Sequence, residues 1–246
     1  MAILEERDLD FVVSVISPNA RNKERIKIAI REDRDFRERI IGEDLLFERI
    51  VNNRQLIIGT SFTLYFEVLL RRSLKEMRKS IYTVDRSVSQ KIPVFDTIDT
   101  LNFVHEEGVL DYLISLLVSF VTHEEETATD IDINNLIKLG IDATDDQRFE
   151  VYKRIADVCL LVLGVFPEYV MYDYDYLFLN KKIPITGKLM RTMGDYEILG
   201  KECYELAAMH EKARANNLDK ILRSFSRKFY LAKKPLNYLS KHLITL

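Results

Sequence analysis

Apolar residues recur along most of this chain at intervals of three and four, the period of a helix with one buried face. The pattern predicts a short helix over 9–16, stopped by Ser17-Pro18-Asn19, and further helices over about 21–31 and 33–52, the last with Gly42 as a place to break. A clearer one covers about 61–79. It sets Phe62, Tyr65, Phe66, Leu69 and Met77 on one apolar stripe and gathers Arg71, Arg72, Lys75, Arg78 and Lys79 in its last turns. Cations there are favoured by the helix macrodipole.

The helical signal lapses near 80–104. The stretch "IYTVDRSVSQKIPVFDTIDT" alternates β-branched residues and contains Pro93. It reads as an irregular connection with room for a short hairpin. It also marks a boundary between an N-terminal helical lobe, 1–80, and a C-terminal helical lobe, 81–246, unless the two form a single domain.

Helical spacing then resumes over about 107–122, apolar on nearly every side. A short helix over 133–140 is expected to close at Gly140. "TDDQ", Thr144 to Gln147, matches a capping box and opens a long helix that is apolar all round from Val158 and ends near Pro167. Helices apolar on every face are buried by neighbours, so 109–121 and 158–166 are the expected central pair. Helices over about 188–213, 217–230 and 235–244 finish the chain. In the middle one, Leu218, Ile221, Leu222, Phe225, Phe229 and Ala232 form the apolar face, with cations elsewhere on its surface. The expected fold class is all-α: an orthogonal or bundle-like array of about nine to ten helices around two buried ones.

Within this array "YEILGKECYELAA", Tyr196 to Ala208, resembles the first helix of a tetratricopeptide repeat. Tyr196, Leu199 and Gly200 stand at that family's aromatic, leucine and glycine positions. Cys203 replaces the next tyrosine, Pro235 is displaced by two, and no 34-residue period recurs. The resemblance implies a helical hairpin of similar build and no more.

Composition changes this picture little. A chain of 246 residues can bury roughly 70–75% of its unfolded surface and needs no disulfide or metal to be stable. Eight Gly and five Pro are too few for a turn-rich, all-β protein. The two cysteines, Cys159 and Cys203, sit among apolar residues and read as buried free thiols, which suits a reducing, cytoplasmic home. The first ten residues carry no signal-peptide core, and the longest apolar runs fall short of the roughly 18–20 residues that span a bilayer.

Charge is more informative. Residues 92–180 hold four Lys/Arg against eighteen Asp/Glu, while 212–246 hold nine Lys/Arg against Asp219 alone. The acidic middle and the basic tail could meet within one fold or across two copies.

Motifs that carry chemistry mostly fail on spacing. "DIDINNLIKLGI" starts like a calcium loop, with Asp130, Asp132 and Asn134, but has Asn135 and Ile141 where Gly and a bidentate Glu are needed. "GDYEILGKE" encloses five residues between its glycines, and Glu202 follows Lys201 where a phosphate loop needs Ser or Thr. His105, His123, His210 and His242 form no zinc or di-iron spacing. No cofactor, metal ligand set or catalytic residue is assigned.

Two surfaces remain. The tail interleaves aromatics with Lys220, Arg223, Arg227, Lys228, Lys233 and Lys234, the mixture nucleic-acid sites use, with 71–79 as an extension. "PEYVMYDYDYLF" places Tyr169, Tyr172, Tyr174 and Tyr176 apart from Asp173 and Asp175, which suits core packing or a protein interface. The reading is a non-catalytic cytoplasmic interaction or scaffolding protein, self-associating through its acidic and basic surfaces. Alternatives are nucleic-acid binding through 212–241, and a ligand-binding protein or enzyme using Asp173 and Asp175.

Overall fold

The computed structural model describes residues 3–52, 59–86, 91–122, 133–167, 170 and 191–243. The chain is all-α, with thirteen helices and one two-stranded antiparallel hairpin among the described residues. It divides into two compact units. One comprises Met1–Lys79 with Leu110–Thr122, the other Ser80–Val109 with His123–Leu246. The two apolar helices expected at one centre therefore fall in separate units.

The first unit contains α1 (Glu6–Ile16), α2 (Lys23–Glu32), α3 (Arg34–Ile41), α4 (Asp44–Asn52) and α5 (Phe62–Met77). Short polar side chains start three of them. Asn22, Asp33 and Ser61 accept from the backbone N–H groups of Arg25, Phe36 and Leu64, donors that no helical carbonyl can satisfy. The break at Gly42 separates α3 from α4. Leu9, Val12 and Val13 of α1 meet Ile30, Ile41, Leu46, Ile50, Leu64 and Val68 in one core. Phe62 and Tyr65, placed on the apolar stripe by spacing, are exposed and half-buried, whereas Phe66, Leu69 and Met77 are buried.

Two buried polar knots fix this unit. Asp8 is fully buried and its carboxylate accepts from Ser61 N at 2.7 Å, Ser61 Oγ at 2.6 Å and Glu5 N at 2.9 Å. It thereby ties the N-terminus of α1 to that of α5. Glu67 accepts from Arg37 and Arg71 on α3 and α5.

Strands β1 (Thr83–Arg86) and β2 (Lys91–Val94) are followed by α6 (Thr97–His105). The β-branched alternation and Pro93 predict an irregular connection over 80–104. Packing decides otherwise: Phe103 and Val104 are buried, and Phe103 meets Phe225 edge-to-face at 5.4 Å. Helix α7 (Val109–Thr122) belongs to the first unit from Leu110 onward.

The rest of the second unit is α8 (Ile133–Asp142), α9 (Asp145–Val165), α10 (Met193–Met209), α11 (Glu211–Ala215), α12 (Asp219–Arg227) and α13 (Phe229–His242). Helix α8 runs through Gly140 to Asp142, and Gly140 does not take the left-handed conformation of a terminating glycine. The expected capping box is present, with Thr144 N donating to Gln147 Oε1 at 3.1 Å. From Ile155 to Val165 every residue of α9 is buried, because α8, α10 and α13 pack around it. The helix expected over 188–213 is cut at His210, which closes α10 and caps α11. Pro235 lies inside α13 rather than at its start, where it has no N–H to donate to Leu231 O.

Two glycines let α10 and α13 approach their neighbours. A Cβ on Gly200 would lie 2.5 Å from Phe229 Cε2 and 3.0 Å from Cys159 Cβ; one on Gly164 would lie 2.8 Å from Leu236 Cβ. Gly200 is the glycine of the repeat-like segment, and its role is this close approach. Gly164→Ala is expected to push α9 from α13, because the obstructing atom is fixed to the α13 backbone. A loss of about 1–3 kcal/mol in urea unfolding would match an overpacked core.

Candidate interaction surface

The hairpin presents the densest group of exposed large apolar side chains among the described residues. Its register pairs Thr83 with Val94, Val84 with Pro93 and Asp85 with Ile92. Side chains alternate across a strand, so Tyr82 and Val84 share one face with Pro93 and Phe95. All four are exposed. Tyr82 and Phe95 stack edge-to-face at 6.2 Å. Ile98, on the first turn of α6, and Phe95 are each 73% exposed; Ile81 and Ile92 are exposed at the flanks. Single exposed apolar residues need no explanation, but six within eighteen residues do.

The other face of the hairpin is anchored. Thr83 and Val94 are half-buried. Thr83 Oγ1 donates to Asp96 Oδ1 at 2.5 Å, and Asp96 N donates to Val94 O at 2.9 Å. Lys234 of α13 lies 3.3 Å from Asp96 Oδ2, with both side chains buried. The hairpin is thus held against the second unit through Asp96, and its apolar face is turned outward. Pro93 has no N–H, so Val84·Pro93 is a pair whose backbone groups point away from the partner strand. The outer edge of β1 offers the N–H and C=O of Val84, while that of β2 is blunted by Pro93.

Most of the basic candidates are paired inside the second unit. Lys228 bonds Glu106, which also accepts from Ser224 Oγ at 2.5 Å. Lys233 reaches Glu197 at 3.2 Å, Lys234 reaches Asp96, and Arg223 lies 3.9 Å from Glu205. Acidic middle and basic tail therefore meet within one chain, at Glu106 and Asp96. Lys220 and Arg227 are exposed. Burial pushes the Glu106 carboxyl up, but the Lys228 and Ser224 hydrogen bonds and the Lys228 charge outweigh it and hold the group below the ordinary carboxylate range. The tie contributes at neutral pH and is lost as acid protonates Glu106 through that lowered pKa.

The cations of 71–79 are likewise engaged within the first unit. Arg71 pairs with Glu67, Arg72 and Lys75 with Asp44, Lys79 with Glu76, and Arg78 lies 3.7 Å from Glu38.

Tyr169, Tyr172, Tyr174, Tyr176, Asp173, Asp175 and His123 lie outside the described residues. The remaining histidines occupy three separate helix ends. His105 closes α6 with Nδ1 donating to Leu101 O at 2.6 Å, and His242 stacks on Tyr238 at the end of α13. His210 lies between α10 and α11. It bridges two helices: Nδ1 accepts from Lys212 N, and Nε2 donates to Asp145 O at 2.8 Å. Cys159 and Cys203 are buried and free. Desolvation pushes the Cys159 thiol far up and that of Cys203 up to about 12, so neither is poised as a nucleophile. Asp157, buried on α9, accepts from Tyr204 Oη at 2.8 Å and Lys153 Nζ at 2.7 Å, a tie between α9 and α10.

Among the described residues no three His, Cys, Asp or Glu side chains are grouped to hold a metal ion. No described helix is long and apolar enough to cross a membrane. No protein-family model, no curated protein and no solved structure matches the chain.

Proposed function

We propose that this chain is a non-catalytic helical interaction protein that self-associates through the outer face of its hairpin. The observation that carries the reading is the outer face formed by Tyr82, Val84, Pro93 and Phe95, with the exposed Ile98 following, on an element whose other face is pinned to the rest of its unit. A two-stranded hairpin is marginal alone and gains from further strands or a covering surface. The charge blocks contribute less to association than their size suggests, since Lys228, Lys233 and Lys234 already face carboxylates of the same unit.

Sedimentation velocity from about 1 to 100 μM protein tests this, because self-association shifts with protomer concentration. Association is expected to grow with concentration and to change little between about 0.1 and 0.5 M salt, a range that screens exposed charge contacts. The double variant Phe95→Glu/Ile98→Glu is expected to stay monomeric with unchanged helix content by circular dichroism. A native chain that is monomeric throughout would refute the reading. Association that salt dissolves would return it to the charged surfaces.

A second reading is supported by the exposed Lys220 and Arg227 on α12, with Arg223 between them: nucleic-acid binding through this face. The chain has no tryptophan, so absorbance at 260 against 280 nm in the same experiment detects bound nucleic acid readily.

A further inference from the structure

The N-cap and first turn of α6 carry three buried polar oxygens without a hydrogen bond inside the protein: Asp96 Oδ2, Thr97 Oγ1 and Thr100 Oγ1. Thr100 is fully buried and Thr97 is 4% exposed. Thr97 and Thr100 share one face of the helix, which continues into the buried Phe103 and Val104, and Asp96 is the N-cap residue directly before them. Lys234 Nζ stands 3.3 Å from Asp96 Oδ2, near enough for charge attraction but not aligned as a hydrogen bond. Buried polar groups are rarely left unmatched, because each has given up its bonds to water.

We infer that this turn binds one internal water molecule, shared by Asp96 Oδ2 and the hydroxyls of Thr97 and Thr100, beside the Lys234 ammonium. The chemistry selects water over an ion. Both signs of charge stand at the site, so a cation would meet Lys234 and an anion would meet Asp96. Water can donate to Asp96 Oδ2 and to one threonine while accepting from the other, within the two to four partners such waters make. The site lies under the hairpin, whose Thr83 holds the other oxygen of Asp96. It is a structural ligand of the hairpin's seat and stands independently of the association reading.

Isosteric replacement gives a test whose sign decides. Removing an unmatched hydroxyl from a dry site is neutral or stabilising, whereas removing one that holds a water is destabilising. Thr97→Val and Thr100→Val are each expected to lower Tm by roughly 2–4 °C, the shift of a moderate loss in a chain of this size. The double variant is expected to lose little more than either single, because the first change already releases the shared water. An unchanged or raised Tm in the single variants would overturn the inference, and so would fully additive losses. A crystal structure of the native chain supplies the direct readout. Density within about 3.2 Å of at least two of the three oxygens supports the site, and a dry turn rejects it.

Discussion

Glu67→Ala is expected to remove about 3–5 kcal/mol of stability from the first unit, a large part of the 5–15 kcal/mol that holds a typical domain folded. The Glu67 side chain is 1% exposed and that of Arg37 is 3% exposed. Arg37 donates to it through Nε at 2.9 Å and Nη2 at 2.5 Å, and Arg71 through Nε at 3.1 Å and Nη2 at 2.8 Å. One carboxylate thus serves two guanidinium groups. Without it, Arg71 can lean toward Glu38, already 3.8 Å away, while Arg37 stays buried and loses the carboxylate that its Nε and Nη2 both bond. The cost arises from keeping that guanidinium out of water without its carboxylate, beyond the bonds themselves. Replacing the pair together, as Arg37→Met/Glu67→Leu, is therefore expected to recover most of the loss. Urea unfolding of the native, single and double variants checks this. A double variant as unstable as Glu67→Ala would show that the ion pair itself, and not an orphaned partner, carries the stability.

Lys234→Met is expected to cost a similar amount, about 3–5 kcal/mol, in the second unit. It strands Asp96, which is buried, holds Thr83 and sits at the start of α6. Helix, hairpin and α13 converge on this one carboxylate. Loss of its counter-charge is expected to loosen the hairpin before the remaining helices, which hydrogen exchange at 83–86 and 91–94 would report. Asp96→Asn in the same chain removes the stranded charge and retains an acceptor for Thr83, so the double variant is expected to be more stable than Lys234→Met. A double-mutant cycle with no coupling would contradict a direct pair.

The helical frame was legible because it depends on local periodicity and local capping. The Thr144–Gln147 box, the break at Gly42 and the burial of 158–165 all follow from residues within one or two turns. The apolar face of α12 was legible for the same reason: Leu222 and Phe225 are buried, and Phe229, expected on the same helix, is buried at the start of α13. What failed was decided by distant partners. Thr97–His105 has strand-like residues and becomes helix because Phe103 finds Phe225. Pro235 should begin a helix on local grounds, yet packing against α9 carries α13 through it. Lys234 looked like a member of a basic stripe; its partner Asp96 is 138 positions away, and spacing cannot show such a meeting. The outward face of the hairpin was half legible. Alternation of β-branched and aromatic residues suggested strands, but which face is covered depends on Asp96.

Hydrogen exchange of the native chain at low and high protein concentration tests the association surface most directly. Amides of 81–86 and 91–98, Val84 foremost, are expected to slow as concentration rises, while those of 219–227 stay unchanged. Slowing confined to 219–227, or no change anywhere across that range, would contradict an association surface on the hairpin.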